Sequence, residues 1–397
     1  MGALFEIYMN RKDYCEDAQW EFLKKSSEKL NTPFLLLDLD EVRRNYANLH
    51  SHFDYAKIYY AVKANPHPAI IKALAEEGSN FDIASIYEMD QVLGLGVSPE
   101  RLSFGNTIKK PNDIAYAFGK GVTLYVSDCE SDLRAIAHNA PGSRVFIRIL
   151  SEGATTADWP LSRKFGCQAD MAYDLLVLAR DLGLNPYGIS FHVGSQQREI
   201  GTWDAAIAKV SFLFHSLLEE EGISLKMINL GGGFPSHYTT RANPLDVYAS
   251  EIRRYLDDDF PEGLPEILIE PGRAMTGSAG VIVSEVVQMS RKSRHSLLRW
   301  IYLDAGKFNG MIETLEEAIR YPIFSAREGE ELEPAVLAGP TCDSTDIMYE
   351  QAPYPLPIGL CEGDKVFVFS AGAYTSTYCS VEFNGFPPLQ THVLQEL

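Results

Sequence analysis

The sequence predicts an α/β fold: a (β/α)8 barrel over residues 38–275, joined to a mainly antiparallel β domain (a β-sandwich or small barrel) made from 1–37 and 276–397. Three observations point there. Eight short β-branched or aromatic runs alternate with helical patterns between Ile58 and Ile269, which is the strand–helix count of a closed barrel. Those runs end repeatedly in ionisable residues or glycine, as barrel strands do at the face where chemistry collects. Beyond Glu270 the alternation stops, and β-like runs separated by Pro- and Gly-containing stretches take over, the pattern of an antiparallel sheet.

In chain order, the run Phe34–Leu39 precedes a helix and is assigned to the β domain. The barrel strands follow as Ile58–Lys63, Asn80–Ser85, Leu102–Asn106, Thr123–Asp128, Arg144–Ile149, Tyr187–Val193, Met227–Leu230 and Glu266–Ile269. Helical periodicity fills Pro68–Glu77, Ile86–Leu95, Pro111–Phe118, Met171–Leu182 and Thr202–Glu219. Gly280–Met289, Trp300–Leu303, Pro334–Leu337 and Lys365–Phe369 then read as strands, with Glu313–Ile319 the one clear helix among them. An open, doubly wound sheet is the competing architecture. It lacks support, since no Gly-x-Gly-x-x-Gly follows the first strand.

Composition narrows the function. At 46% hydrophobic and 22% charged, the chain is an ordinary globular protein. A net charge of −19 without any Lys/Arg-rich block argues against nucleic acid or an anionic membrane as partner. No apolar run approaches the ~20 residues needed to span a bilayer. The start, Met1-Gly2-Ala3-Leu4-Phe5-Glu6, carries neither a charged segment leading into an apolar core nor the Ser/Thr that myristoylation favours at position 6. Six cysteines without paired spacing read as reduced thiols of a cytoplasmic protein, not as a disulfide frame or a metal site.

The strand ends carry the chemistry. Lys63 closes the run Ile58-Tyr59-Tyr60-Ala61-Val62-Lys63. An ammonium is costly inside a strand, whereas at a barrel mouth it can form a Schiff base with a carbonyl cofactor. Alone, a lysine ending a strand is more often a surface charge. Its companions at the other ends are Asp82 with Ser85, Asn106, Arg148, His192 with Ser195, Gly231-Gly232-Gly233, and Glu270 with Gly272-Arg273, a set that packing alone does not explain. Three successive glycines let backbone amides approach an anion, and loops after the seventh and eighth strands are where such barrels hold phosphate; a plain tight turn is the alternative. Gly272-Arg273 would add amides and a guanidinium. His192 would stack flat on an aromatic cofactor, with Ser195 on its phosphate, unless it is a core histidine satisfied by backbone. Glu270 beside a pyridine nitrogen would keep that nitrogen protonated, which amino-acid decarboxylation requires; an ion pair with Arg273 is the competing role. In the β domain, Cys342-Asp343 lies in a Gly/Pro turn, where a thiol could deliver a proton or simply be part of the turn.

Taken together these motifs resemble the pyridoxal-phosphate decarboxylases of basic amino acids with the alanine-racemase-type fold, the ornithine/lysine decarboxylase family. The resemblance runs from about Pro33 to Phe386. It rests on Tyr60-Ala61-Val62-Lys63, Phe81-Asp82-Ile83-Ala84-Ser85, Phe191-His192-Val193-Gly194-Ser195, Gly231-Gly232-Gly233-Phe234-Pro235, Glu270-Pro271-Gly272-Arg273, Gly339-Pro340-Thr341-Cys342-Asp343, Gly372-Ala373-Tyr374-Thr375 and Phe383-Asn384-Gly385-Phe386. It implies pyridoxal 5'-phosphate held by Lys63, stacked on by His192, paired at its ring nitrogen by Glu270, with Asp82 and Arg148 nearby. Ser195, Gly232, Gly272, Arg273 and Tyr374 would bind the phosphate. It also implies a homodimer with two shared sites, Cys342 and Asp343 of one subunit completing the site of the other. There Cys342 would return a proton and Asp343 would anchor the substrate's terminal amine.

One segment departs from the ornithine-specific branch, in which an aspartate after Phe-Asn helps bind the δ-ammonium. Here Phe308-Asn309-Gly310-Met311-Ile312-Glu313-Thr314 puts Thr314 there with Glu313 beside it, and Phe383 is expected at the same pocket. This is similar to the bacterial lysine/ornithine type, and a methylene is worth only ~1–3 kcal/mol of discrimination. The expected reaction is decarboxylation of L-ornithine, L-lysine or both to putrescine or cadaverine, a step of polyamine biosynthesis. Arginine and diaminopimelate decarboxylases are the near alternatives, though the latter usually carries Cys-Glu-Ser where this chain has Cys342-Asp343-Ser344. A non-catalytic cofactor-binding barrel of the same fold is the alternative of a different class, and the β domain with Cys342 argues against it.

Overall fold

The computed structural model describes residues 10–151, 156–160, 164–381 and 383–396, so the motif sought at Met1–Glu6 lies outside the described residues. After helix α1 (Asp17–Ser27), strand β1 (Phe34–Leu37) and helix α2 (Leu39–His52), the chain enters eight strands: β2 (Ala56–Ala61), β3 (Asn80–Ile83), β4 (Leu102–Phe104), β5 (Leu124–Ser127), β6 (Arg144–Arg148), β7 (Asn185–Ser190), β8 (Met227–Asn229) and β9 (Glu266–Ile269). All pair in parallel with their neighbours, and β2 pairs β9 through Ile58↔Ile269 to close the barrel. Seven helices separate them: α3 (Pro68–Glu76), α4 (Ile86–Gly94), α5 (Pro111–Gly119), α6 (Glu130–Asn139), α7 (Ala169–Asp181), α8 (Gly201–Glu221) and α9 (Leu245–Asp259).

Closure follows from the apolar runs. A strand with helices on one side and the barrel interior on the other buries both faces, so it reads as continuous hydrophobic sequence. Tyr59, Leu124, Val126, Phe146, Met227 and Leu268 form one cluster contributed by five strands, the kind of interdigitated plug that fills such barrels. Each barrel strand begins within about two residues of the apolar run that predicted it. Asp82 and Arg148 lie at the C-terminal ends of β3 and β6, while Lys63, Asn106, His192 and Glu270 stand just beyond their strands, in the loops at the C-terminal rim.

The second unit comprises residues up to Glu41, Ser236–Ala242 and Thr276 onward. Its sheet has nine strands among the described residues: β1 with β10 (Gly280–Arg291), β11 (Arg299–Leu303), β12 (Ile323–Ser325), β13 (Leu332–Ala338), β14 (Ile347–Met348), β15 (Tyr354–Pro357), β16 (Lys365–Val368) and β17 (Gln390–Val393). Most pairs are antiparallel; β1–β17 and β11–β13 run parallel. Trp20 of α1 packs edge-on against Phe367, with centroids 4.7 Å apart, over a core that includes Leu36, Val283 and Phe369. The helix expected over Glu313–Ile319 is instead a 3-10 segment, Ile312–Glu317, broken at Leu315 and at Glu316, whose φ is +53°.

Candidate active site

Lys63 lies one turn beyond β2, in the 3-10 turn Val62–Ala64. The backbone N–H of Ala61 donates to Pro271 O at 3.1 Å, which ties this turn to the loop after β9. On β3, Asp82 stands level with Ala61 on one side and Ser103 on the other. Its carboxylate is only 4% exposed, and Oδ1 is buried with no hydrogen-bond partner among the described residues. A Cβ at Gly105 would sit 1.8 Å from that oxygen, so only glycine leaves room for it. Burial, then the negative charge of Glu270, raises the Asp82 carboxyl well above the usual carboxylate range, against the pull of Lys63 and Arg148. Four sequence-predicted residues thus share one electrostatic neighbourhood at the rim.

A fifth, His192, joins them beside Arg148. Arg148 ends β6 and stacks on Phe165 with its guanidinium carbon 5.1 Å from the ring centre. Burial lowers its pKa while Glu270, Asp82 and Asp128 hold it up. His192 follows β7, and burial together with the positive charges of Arg148 and Lys63 pushes its imidazole well below the ordinary value. The backbone N–H of Gly194 donates to His192 Nδ1 at 3.0 Å, so Nδ1 is the unprotonated nitrogen of a neutral ring and the proton sits on Nε2.

The glycine turn follows from close approach. Gly231 (φ +67°) and Gly233 (φ +103°) occupy the left-handed region. At Gly232 a Cβ would stand 2.7 Å from the Glu270 carbonyl oxygen and 3.2 Å from His192 Nε2. These positions form a cradle that a side chain would fill. Beside it, Arg273 opens the short helix α10 (Arg273–Thr276) and is 3% exposed. Its Nε and Nη2 donate to Ser195 Oγ at 3.2 and 3.0 Å. Glu270 Oε1 accepts from the Asn229 side-chain amide, and Asn229 Oδ1 accepts from the Gly231 N–H at 2.9 Å.

Asn229 belongs to no motif of the sequence analysis, although an amide in the apolar run Met227-Ile228-Asn229-Leu230, two residues before three glycines, is the signal that could have found it. Glu88 is another such residue. Ser85 Oγ caps α4 by accepting from the Glu88 N–H at 3.3 Å, and Glu88 Oε2 accepts from the Ala84 N–H at 2.7 Å, a Ser-x-x-Glu start in which the acid reaches one residue beyond the N-cap. Burial raises the Glu88 carboxyl, opposed by the Ala84 N–H and by Lys63. Behind the rim, the fully buried ammonium of Lys109 donates to Asn106 O (2.9 Å), Val126 O (2.7 Å) and Asp132 Oδ2 (2.9 Å). Ser127 Oγ adds a fourth bond to the same Asp132 oxygen at 2.7 Å. This network binds the loops after β4 and β5 together.

The remaining predicted residues lie on the β unit. Cys342 is exposed, and its N–H donates to Asn384 Oδ1 at 3.0 Å. Asp343 Oδ1 accepts from the Thr345 N–H (2.8 Å) and hydroxyl (2.6 Å), which hold its carboxyl below the usual range. Tyr374 takes φ +56° and packs on Tyr378 at 5.8 Å. Phe383 packs on Phe308, with centroids 4.8 Å apart. Glu313 and Thr314, read as neighbours of the substrate amine, are both buried, Glu313 at 1% exposure. The Thr314 hydroxyl donates to Met311 O at 2.7 Å, within the broken 3-10 segment.

The family model of the pyridoxal-dependent decarboxylases, for their pyridoxal-binding domain, matches residues 39–277. The chain belongs to the pyridoxal-dependent decarboxylases. The lysine/ornithine decarboxylase of Selenomonas ruminantium is 33% identical over 375 residues, which cover 94% of this chain and 92% of that protein. Among solved structures, the lysine/ornithine decarboxylase of Vibrio vulnificus complexed with cadaverine superposes with a TM-score of 0.85 at 30% identity, covering 95% of this chain and 99% of the other. The arginine decarboxylase of Paramecium bursaria Chlorella virus bound to agmatine gives 0.84 at 28% identity, covering 94% and 100%. The barrel rim of this decarboxylase fits pyridoxal phosphate: an amine for the aldehyde, a glycine cradle with Ser195 and Arg273 for the phosphate, and an acid fixed by Asn229 for the ring nitrogen.

Proposed function

We propose that this decarboxylase acts on L-ornithine, L-lysine or both, yielding putrescine or cadaverine, as a cytoplasmic homodimer with shared active sites. The observation that carries the reading is that Asp82, Arg148 and His192 share one rim and one set of charges, the Glu270 carboxylate acting on the first two and the Lys63 ammonium on Asp82 and His192, since perturbed ionisable groups cluster where chemistry is done. Likeness to lysine/ornithine decarboxylases, one of them complexed with cadaverine, supports the substrate class. Six free cysteines fit a reducing compartment.

Pyridoxal phosphate, when bound, supplies an aldehyde for amines and a ring that takes up the electron pair left by carbon dioxide. The Lys63 amine holds that aldehyde between turnovers. Glu270, its carboxylate oriented by Asn229, keeps a proton at the ring nitrogen, while the neutral His192 ring offers a flat apolar face without adding charge. Ser195, Arg273 and the amides of Gly231–Gly233 anchor the phosphate, with Gly272 and Tyr374 beside them in this reading. Cys342 of one subunit delivers a proton to the substrate carbon in the other, and Asp343 receives the distal ammonium. Because Asp343 stays ionised, it repels the distal carboxylate of diaminopimelate.

The tests are direct. Steady-state rates with ornithine, lysine, arginine and diaminopimelate, measured side by side, should favour the first two by at least tenfold in kcat/KM, the scale of about 1.4 kcal/mol; a preference for arginine or diaminopimelate would displace the proposal. Lys63→Ala should lose both turnover and the visible absorption of the bound cofactor, and an unchanged spectrum would overturn the assignment of Lys63.

A further inference from the structure

The structure carries a carboxylate that organises the Cys342–Asp343 turn without belonging to it. Asp346 is 2% exposed. Its Oδ1 accepts from the Lys307 N–H at 2.8 Å, and its Oδ2 accepts from the Thr341 N–H at 3.2 Å and the Thr341 hydroxyl at 2.7 Å. Its backbone closes the same loop: the Asp346 N–H donates to Asp343 O at 3.1 Å, and Asp346 O accepts from the Gly339 N–H at 2.9 Å. Two glycines wall the carboxylate in. A Cβ at Gly306 or at Gly339 would each stand 2.3 Å from an Asp346 oxygen.

We infer that Asp346 is a positioning residue that sets the placement of Cys342 and Asp343 by tying the Thr341 and Lys307 segments to one carboxylate. The inference rests on the reading of Cys342 and Asp343 as substrate-facing groups. The physical case is geometric. Cys342 follows Thr341 directly, and Thr341 gives both its donors to Asp346. Asp343 is fixed from the other end through its carbonyl. Oriented N–H and O–H donors around a buried carboxylate make strong, charge-assisted bonds, so both ends of the two-residue reach containing the thiol and the acid are fixed. The same carboxylate binds the N–H of Lys307, at the start of the Lys307–Asn309 turn, and couples that turn to the loop. A rotation at Thr341 moves the thiol with it.

A double-mutant cycle in the holoenzyme tests this. Asp346→Asn keeps the size but can satisfy only one of the two sets of donors. It should lower kcat/KM by about tenfold through misplacement of the turn, with the visible cofactor absorption unchanged. In a Cys342→Ala background the same substitution should cost less than about twofold, because residues acting through one another are non-additive. Thr341→Val, which removes a single donor, should show a smaller loss with the same dependence on Cys342, and it serves if Asp346→Asn does not fold. If Cys342→Ala and Asp343→Ala leave the kinetics untouched, the reading of that pair falls. If they act but Asp346→Asn and Thr341→Val are silent, or cost equally in both backgrounds, the positioning role falls. Should Cys342→Ala leave no measurable turnover, alkylation decides: the rate at Cys342 relative to exposed Cys361 should shift at least threefold in Asp346→Asn, and an unchanged ratio overturns the inference.

Discussion

Asp82 shows what a single residue concedes to function. A buried acceptor left unsatisfied costs roughly 1–3 kcal/mol, and here the neighbour whose charge adds to that cost is a second acid. Asp82→Asn should therefore raise the melting temperature of the cofactor-free protein while lowering kcat, measured by thermal unfolding and by diamine release. A lowered melting temperature would mean that the carboxylate is structurally required. His192 has the opposite signature. In the unfolded chain its imidazole takes a proton near about 6.5, whereas the folded site resists protonation, so the folded state binds fewer protons below that value. Stability is lost as pH falls through 6.5 toward the depressed folded value, by up to about 1.4 kcal/mol per pH unit. Asp82 works the other way, taking up a proton in the folded state, so total stability mixes the two. The difference between wild type and His192→Asn isolates the histidine: the variant's melting temperature should fall less between pH 7 and pH 5.5.

Among the elements, the barrel was largely legible because each parallel strand is buried on both faces and therefore spelled in continuous apolar residues. What escaped detection has physical causes. Helix α6 buries only Asp132, Leu133 and Ile136, so its apolar stripe is thin. Strand β15 contains Pro355 and Pro357, tolerated because it pairs with β13 alone and sits at an edge where a missing N–H is harmless. The Glu313–Ile319 stretch has helical composition, yet positive φ at Glu316 and Glu317 breaks it. Of the candidate site, the residues gathered at the rim could be read from strand ends, but those that orient them could not. Asn229 and Lys109 act through pairings distant in sequence, and nothing local announces such pairings. Lys109 also makes the sharpest element-scale prediction. Removing one partner of a buried ion pair costs about 3–5 kcal/mol, so Lys109→Met should lower stability strongly in urea unfolding. Lys109→Met/Asp132→Leu should recover part of the loss; no recovery would show that the carbonyls of Asn106 and Val126, not Asp132, dominate.

At the scale of the whole molecule, the chain does not visit its two units once each. Residues Ser236–Ala242 leave the barrel unit for the β unit, where the Tyr14 hydroxyl donates to Tyr238 O at 3.0 Å and Thr239 bonds Arg320 O. No strand or helix signal in Ser236-His237-Tyr238-Thr239-Thr240-Arg241-Ala242 foretold it, because the segment is held by single hydrogen bonds and not by a regular element. The first strand and the last are likewise brought side by side: Phe34 faces Gln390 and Leu37 faces Val393. All four residues of β1 are fully buried, while β17 is half polar and shields their open flank. A product clipped ahead of Gln390 would leave four greasy residues with a row of vacant amides beside them, ready to zip onto the next molecule. Proteolytic trimming of the tail should thus show itself first as sedimenting aggregate in light scattering, with the intact chain staying clear under the same conditions.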